Sequence, residues 1–409
     1  MTRPEARALW LAAQGFPPPA RTTVTAAVAK AGYVRTVGGV DVYLAVRARV
    51  PGMTRAALDS AVAKGALCIV PAMRGCIYLV PREDVPACLR AAALLTRRRT
   101  ELEHGKAGIR KGEVEALARA VLALIRKSGP LTTDAVRKGL PAGAVRSLGG
   151  KGKKIGLSSP LPPALRVLEF GGRIERRPEG GRLDTERYFW HAPDKPVDPA
   201  KAAPKSEAAL WNRMAEVFFG AAGIGAVEDF AAWAGISKRD AQAAAQQIAV
   251  EPVRIEGSGR EWLISSERKK ALLAASGTER VIAFLPFEDN VVALRAGPAF
   301  MVDEEFHGLK VPTWGGKGPT TLGQAKHIAF RTLIAGGGAA GFWEFDPSSG
   351  KIVTALFRKP SPADRERIAS EAADLERFFR EETGHARSFS LDTDADLADR
   401  AKAIRAMKF

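Results

Sequence analysis

Apolar positions along this chain mark helices that come in groups, and each group closes with two short β-rich runs. Ala8, Leu9, Leu11 and Ala12, with a proline in the first turn, predict a helix from Pro4 to Gln14 that Gly15 and Pro17–Pro19 stop. Thr22 or Thr23 can cap a second helix running to about Lys30, and Thr54 a third through Ala63, ended by Gly65. Residues 66–70 and 76–80 then flank a short turn and read as a hairpin. Helices followed by a hairpin describe a winged helix.

The same pattern returns twice. Val114, Leu117, Val121, Leu124 and Ile125 line one face of a helix from Gly112 to Lys127. Pro130–Asp134 opens another helix, and Pro162–Phe170 forms a third. Residues 173–177 and 182–190 make a hairpin around Pro178–Gly181. Beyond a Pro/Ala/Lys linker at 193–204, helices are expected near 206–219, 227–234 and 237–249, with a hairpin over 253–264. From Arg280 the texture changes. Short strands are expected at 281–285, 290–294, 300–302, 332–335, 341–345 and 351–357, with tight turns at Gly315-Gly316 and Gly336–Gly338. A closing helix over 363–382 precedes a polar tail carrying Asp392, Asp394, Asp396 and Asp399. The expected fold class is α+β: three tandem winged-helix domains at 1–95, 96–195 and 205–275, then a small β-barrel with its closing helix at 280–409.

Charge narrows the function. Hydrophobic and charged contents are ordinary for a globular protein, but the net charge is +17. Lys and Arg outnumber Asp and Glu by 11 between Ala91 and Trp190, and fall behind by 2 from Ser361 to the end. A localised excess of this size points to a polyanion, and duplex DNA is the expected partner. A membrane surface is the weaker reading, because no long basic amphipathic helix with an aromatic face is present. No signal peptide is read at the N-terminus, and no apolar run approaches the ~20 residues of a membrane helix. The expected location is the cytoplasm, associated with the nucleoid, and the expected state a monomer. Cys68, Cys76 and Cys88 lack CxxC spacing and the five histidines are scattered, so no metal and no cofactor are expected.

The candidate chemistry centres on Val37–Gly52. It places Asp41 and Tyr43 just after Gly38-Gly39 and just before Arg47 and Arg49. The Gly149–Lys154 loop lacks the GxxxxGK[ST] order of a nucleotide-binding loop, so Lys151, Lys153 and Lys154 are read as phosphate-backbone contacts. Arg97, Arg98 and Arg99, with Arg176 and Arg177 on the second wing and Arg74 on the first, complete the expected DNA-binding set. Glu288-Asp289 is read as a strand end with a structural turn.

Four segments carry a family resemblance. Ala6–Phe16, Arg74–Pro81, Leu285–Asn290 and Gly341–Phe345 resemble the crosslink-repair DNA glycosylases, the AlkZ and YcaQ proteins. The resemblance implies three winged-helix domains and a β-barrel cupping DNA, and hydrolysis of the N-glycosidic bond of alkylated bases such as N7-alkylguanine, including those in interstrand crosslinks. The family's catalytic motif is Gln-Φ-Gln or Gln-Φ-Asp, with Φ apolar. By the Arg-x-Arg-x-Pro-Gly run that follows, it falls on Asp41-Val42-Tyr43, where neither glutamine is present. Asp41 then becomes the carboxylate expected to stabilise an oxocarbenium and orient water, with Tyr43 bonding that water or the sugar. The alternative is a non-catalytic winged-helix DNA-binding protein.

Overall fold

The computed structural model describes residues 1–266, 269, 277–294, 298–313, 318–407 and 409. Eight of its helices begin at a threonine or serine. Thr2, Thr23, Thr54, Thr132, Ser206, Ser237, Ser361 and Thr393 each accept a hydrogen bond from the backbone N–H three residues on.

Three small antiparallel sheets share one plan. In each, a hairpin gains a two-residue strand on the free edge of its second strand. The first joins β1 (Val34–Arg35), β2 (Leu67–Pro71) and β3 (Ile77–Pro81) in the order β1-β3-β2. The second repeats this with β4 (Leu131–Thr132), β5 (Glu175–Pro178) and β6 (Tyr188–His191). The third repeats it with β7 (Ile224–Gly225), β8 (Val250–Val253) and β9 (Trp262–Ser265). The boundary expected at residue 95 falls inside a single 23-residue helix, Val85–Ala107, which carries the chain from the first unit to the second. The expected linker at 193–204 contains a short helix, Pro199–Ala202, capped by Asp198.

The C-terminal region corrects the sequence reading at four points. Its main sheet is open: β10 (Ala283–Phe284), β13 (Arg331–Ala335), β14 (Gly338–Asp346) and β15 (Lys351–Leu356) lie in that order. β11 (Lys310–Val311) pairs only with β12 (Thr320–Thr321), and the described residues contain no closed barrel. The strands expected at 290–294 and 300–302 are helical turns, Asn290–Ala293 and Pro298–Met301, the first capped by the Asp289 carboxylate. The acidic tail is a helix, Asp394–Ala406, which Thr393 and Asp396 start with a capping box. Gly315-Gly316 lies outside the described residues.

Core packing ties distant segments together. One cluster joins Trp10 and Tyr78 of the first unit to Phe218, Phe230 and Trp233 of the third. A second packs the Asp41–Arg47 helix against Trp343 on β14 and against Leu375 and Phe379. The second unit keeps its own core, with Val121, Leu161 and Trp190. Between the first unit and the open sheet lies a buried ionic contact. Arg331, fully buried, bonds Asp41 through Nη2 at 2.8 Å and Glu344 through Nη1 at 2.8 Å. Removing one partner of a buried ion pair leaves charge without compensation. Arg331→Ala is expected to lower unfolding free energy by about 3–5 kcal/mol in chemical denaturation; a loss below about 1 kcal/mol contradicts the assignment.

Candidate active site and nucleic-acid interface

Asp41 is the first residue of its helix, and glycine backbone puts it there. A Cβ on Gly39 would lie 2.2 Å from the Ser388 carbonyl, so only glycine lets the two backbones approach. Val40 N–H donates to the Arg387 carbonyl at 2.8 Å and fixes that approach. Asp41 is 6% exposed and both its oxygens are engaged. Oδ1 accepts from Arg331, and Oδ2 accepts from the Phe287 N–H at 3.0 Å. Beyond Arg331 the charges alternate: Glu344 accepts from Arg400 Nε at 2.7 Å, and Arg400 bonds Asp392 at 2.8 Å. Burial raises the Asp41 pKa to about 6; Arg331 opposes that shift and Glu344 adds to it.

Tyr43 does not share this site. Residues two apart on a helix project to different faces. The Tyr43 hydroxyl donates to Asp59 at 2.6 Å and accepts from the Leu183 N–H at 2.7 Å, clamping the first unit to the second hairpin. Burial pushes its pKa far up, with Asp59 adding to the effect. The expectation that Asp41 and Tyr43 act side by side is corrected on these grounds.

Three of the expected DNA contacts are engaged inside the protein. Arg49 is buried and grips Asp289 through two hydrogen bonds at 2.7 and 2.8 Å, above the Phe16 ring. Arg47 pairs with Asp374 beside Phe378. Arg176 pairs with buried Glu169 and lies over Tyr188 and Trp190. The others face solvent: Arg74, Arg97, Arg98, Arg99, Lys151, Lys153, Lys154 and Arg177. The glycine-lysine segment is a short helix, Gly149–Lys153, rather than a loop. It packs against Val85–Ala107, so Arg97–Arg99 ride on one helix and Lys151 and Lys153, with Lys154 as its C-cap, on the adjoining one.

The pocket beside Asp41 also contains residues that the sequence reading did not assign to a site. Tyr33, Arg35, Phe287 and Glu288 line it with Asp41, in a cavity of about 80 Å³. Asp289 is structural, as expected, since it caps a helix and holds Arg49. Glu288 differs: its carboxylate is a quarter exposed and pairs with Arg35 and with His327 Nδ1, the latter at 3.0 Å. The adjacent Glu288-Asp289 pair was the only sequence signal for it, and nothing there separates the two roles.

Among the described residues, no cluster of His, Cys, Asp or Glu could hold a metal ion, and the three cysteines are free thiols. No described helix is long and apolar enough to cross a membrane.

With this geometry in hand, comparison with known proteins places the chain. The family model described as DNA glycosylase AlkZ-like matches residues 39–378, and the chain belongs to that family. Among solved structures it is similar to the Streptomyces sahachiroi DNA glycosylase AlkZ. The sequence identity is 16% and the TM-score 0.65, over 95% of this chain and 98% of that one. That likeness concerns the fold. A search of curated proteins finds no match.

The raised Asp41 pKa has a thermodynamic consequence. Because the folded-state value lies above the ordinary 3.8, the native state binds this proton more tightly than the unfolded chain. The stability linked to this group is full below about pH 4 and is lost as pH rises through about 6. Asparagine cannot titrate. Between pH 4.5 and 7.5, denaturation should therefore show the stability of Asp41→Asn improving relative to wild type, by about 2 kcal/mol. A constant difference, or movement the other way, contradicts the burial argument.

Proposed function

We propose that this chain is a monofunctional DNA glycosylase that hydrolyses the N-glycosidic bond of alkylated purines such as N7-alkylguanine, in duplex DNA and in interstrand crosslinks. The observation that carries the reading is a pocket with carboxylates in a chain of the AlkZ-like DNA glycosylase family. Three tandem winged-helix units would grip the duplex, and a monomer in the nucleoid would suffice. No cofactor enters the reaction.

The chemistry asks little of an acid. N7-alkylation already places a positive charge on the purine, so the base departs as a neutral molecule when the C1′–N9 bond breaks. What limits the rate is charge developing on the sugar and delivery of water. A negative group near C1′ in a low-dielectric site serves the first need. Asp41 supplies part of that negative potential from the pocket floor, offset by Arg331. Tyr43 contributes by holding the second hairpin in place rather than by touching the sugar.

The missing glutamines at Asp41-Val42-Tyr43 favour a second reading, a winged-helix protein that binds DNA without cutting it. One experiment separates the two. Purified protein incubated with duplex DNA carrying N7-methylguanine is expected to leave lesion-dependent abasic sites; tight binding without them supports the second reading. The same duplex tests the interface. Changing Lys151, Lys153 and Lys154 together to Gln should reduce the slope of log affinity against log salt by up to about 0.9 per lost phosphate contact. An unchanged slope removes that helix from the interface.

A further inference from the structure

Three residues other than glycine hold a left-handed backbone among the described residues: Tyr33 at φ 72°, Arg74 at φ 58° and Glu288 at φ 51°. Such conformations are unfavourable for L-residues and gather where a structure fixes a functional group. Two of the three meet at one place. Tyr33 and Glu288 line the pocket beside Asp41. Arg74, at the first wing tip, lies near His327, the ring that contacts Glu288.

The backbone strain at Glu288 is imposed from below. The Asp41 carboxylate accepts the Phe287 N–H, which anchors the residue just before it. On the other side, Asp289 is locked into Arg49 and into the next helix turn. Glu288 is therefore pinned at both neighbours, and its side chain is left in the pocket. Arg35 and His327 contact its carboxylate, and Arg74, Arg35 and Lys326 act electrostatically on that His327 ring. Burial, Arg74, Arg35 and Lys326 push His327 below its ordinary pKa, and its Nδ1 lies 3.0 Å from the Glu288 carboxylate. Arg35 Nε is buried with no partner.

A carboxylate paired with a cation, with further basic residues beside its histidine partner, suits a reacting nucleotide. The cations match the flanking phosphates, and the single anion faces the one part of the nucleotide that becomes positive. We infer that Glu288, not Asp41, is the catalytic carboxylate that meets the sugar, and that Asp41 is a positioning residue acting through the Phe287–Glu288 turn. This rests on the glycosylase reading above. As the C1′–N9 bond breaks, its electron pair leaves with the alkylated base, and Glu288 stabilises the oxocarbenium. A water oxygen then bonds C1′, and Glu288 takes the proton that water loses before passing it to solvent. Asp41 is less suited to meet the sugar, because its side chain is only 7% exposed where that of Glu288 is 24% exposed.

The test uses the full chain and duplex DNA carrying N7-methylguanine, under single turnover. Glu288→Gln is expected to slow excision by about a hundredfold or more while binding the duplex within about twofold of wild type. Glu288→Gly guards against misfolding. Glycine relieves the left-handed backbone, so this variant should melt at or above the wild-type temperature and still fail to excise. Asp41→Asn should slow excision alone yet add no further loss in the Glu288→Gln background, as expected for residues acting as one unit. Wild-type excision retained by Glu288→Gln overturns this inference and leaves the glycosylase reading standing. A wild type that never excises the base overturns both.

Discussion

The buried guanidinium of Arg331 is the contact on which the rest of this site depends. It joins the helix that starts at Asp41 to Glu344 on β14, and donates to the Ala386 carbonyl in the segment that docks on Gly39. Arg400 and Asp392 extend the alternation into the C-terminal helix region. A buried ion pair is rarely a net source of stability, because desolvation offsets the attraction. Its effect here is geometric. It sets the height of the Phe287–Glu288 turn above Asp41, and so the position of the pocket between the first unit and the open sheet.

Much of the helical framework was legible in the sequence, because its signals are local. Threonine and serine caps such as Thr54 and Ser361 act on backbone three residues away. The repeated helix-and-hairpin grouping survives as three sheets of one plan. The failures come where partners are remote in sequence. Asn290–Ala293 has the apolar content of a strand, but Asp289 caps it as a helical turn. The acidic residues after 390 read as solvated, yet Asp392 is drawn inward by Arg400. Arg49 and Arg176 carry the same letter as a phosphate-binding arginine; their carboxylates, Asp289 and Glu169, decide otherwise.

The candidate site was half legible for the same reason. Asp41 stood out by its glycine-flanked setting, and it lines the pocket. Its proximity to Tyr43 in sequence suggested a pair, but the helix turns Tyr43 toward Asp59 and Leu183. Glu288 was visible only as one member of an acidic doublet. Its distinguishing property is a backbone angle, which follows from anchors 246 residues apart in the chain. The glutamines of the family's usual motif are replaced here by Asp41 and Tyr43, and in the proposed reaction carboxylates would serve instead, which fits a leaving group needing no protonation. In the proposed reaction positive charge on the base makes departure easy, so the main demand on the site would be to stabilise the sugar cation.

That task can be measured without catalysis. Duplexes carrying a cationic pyrrolidine in place of the lesion sugar imitate the oxocarbenium, and those carrying neutral tetrahydrofuran do not. Transition-state mimics bind more tightly than ground-state analogues when a site is built for the charge. Wild type is predicted to prefer the cationic duplex by about tenfold or more, equivalent to about 1.4 kcal/mol. Glu288→Gln is predicted to lose that preference while holding the tetrahydrofuran duplex as wild type does. Equal affinity of wild type for the two duplexes, or a preference that survives in Glu288→Gln, would contradict the account.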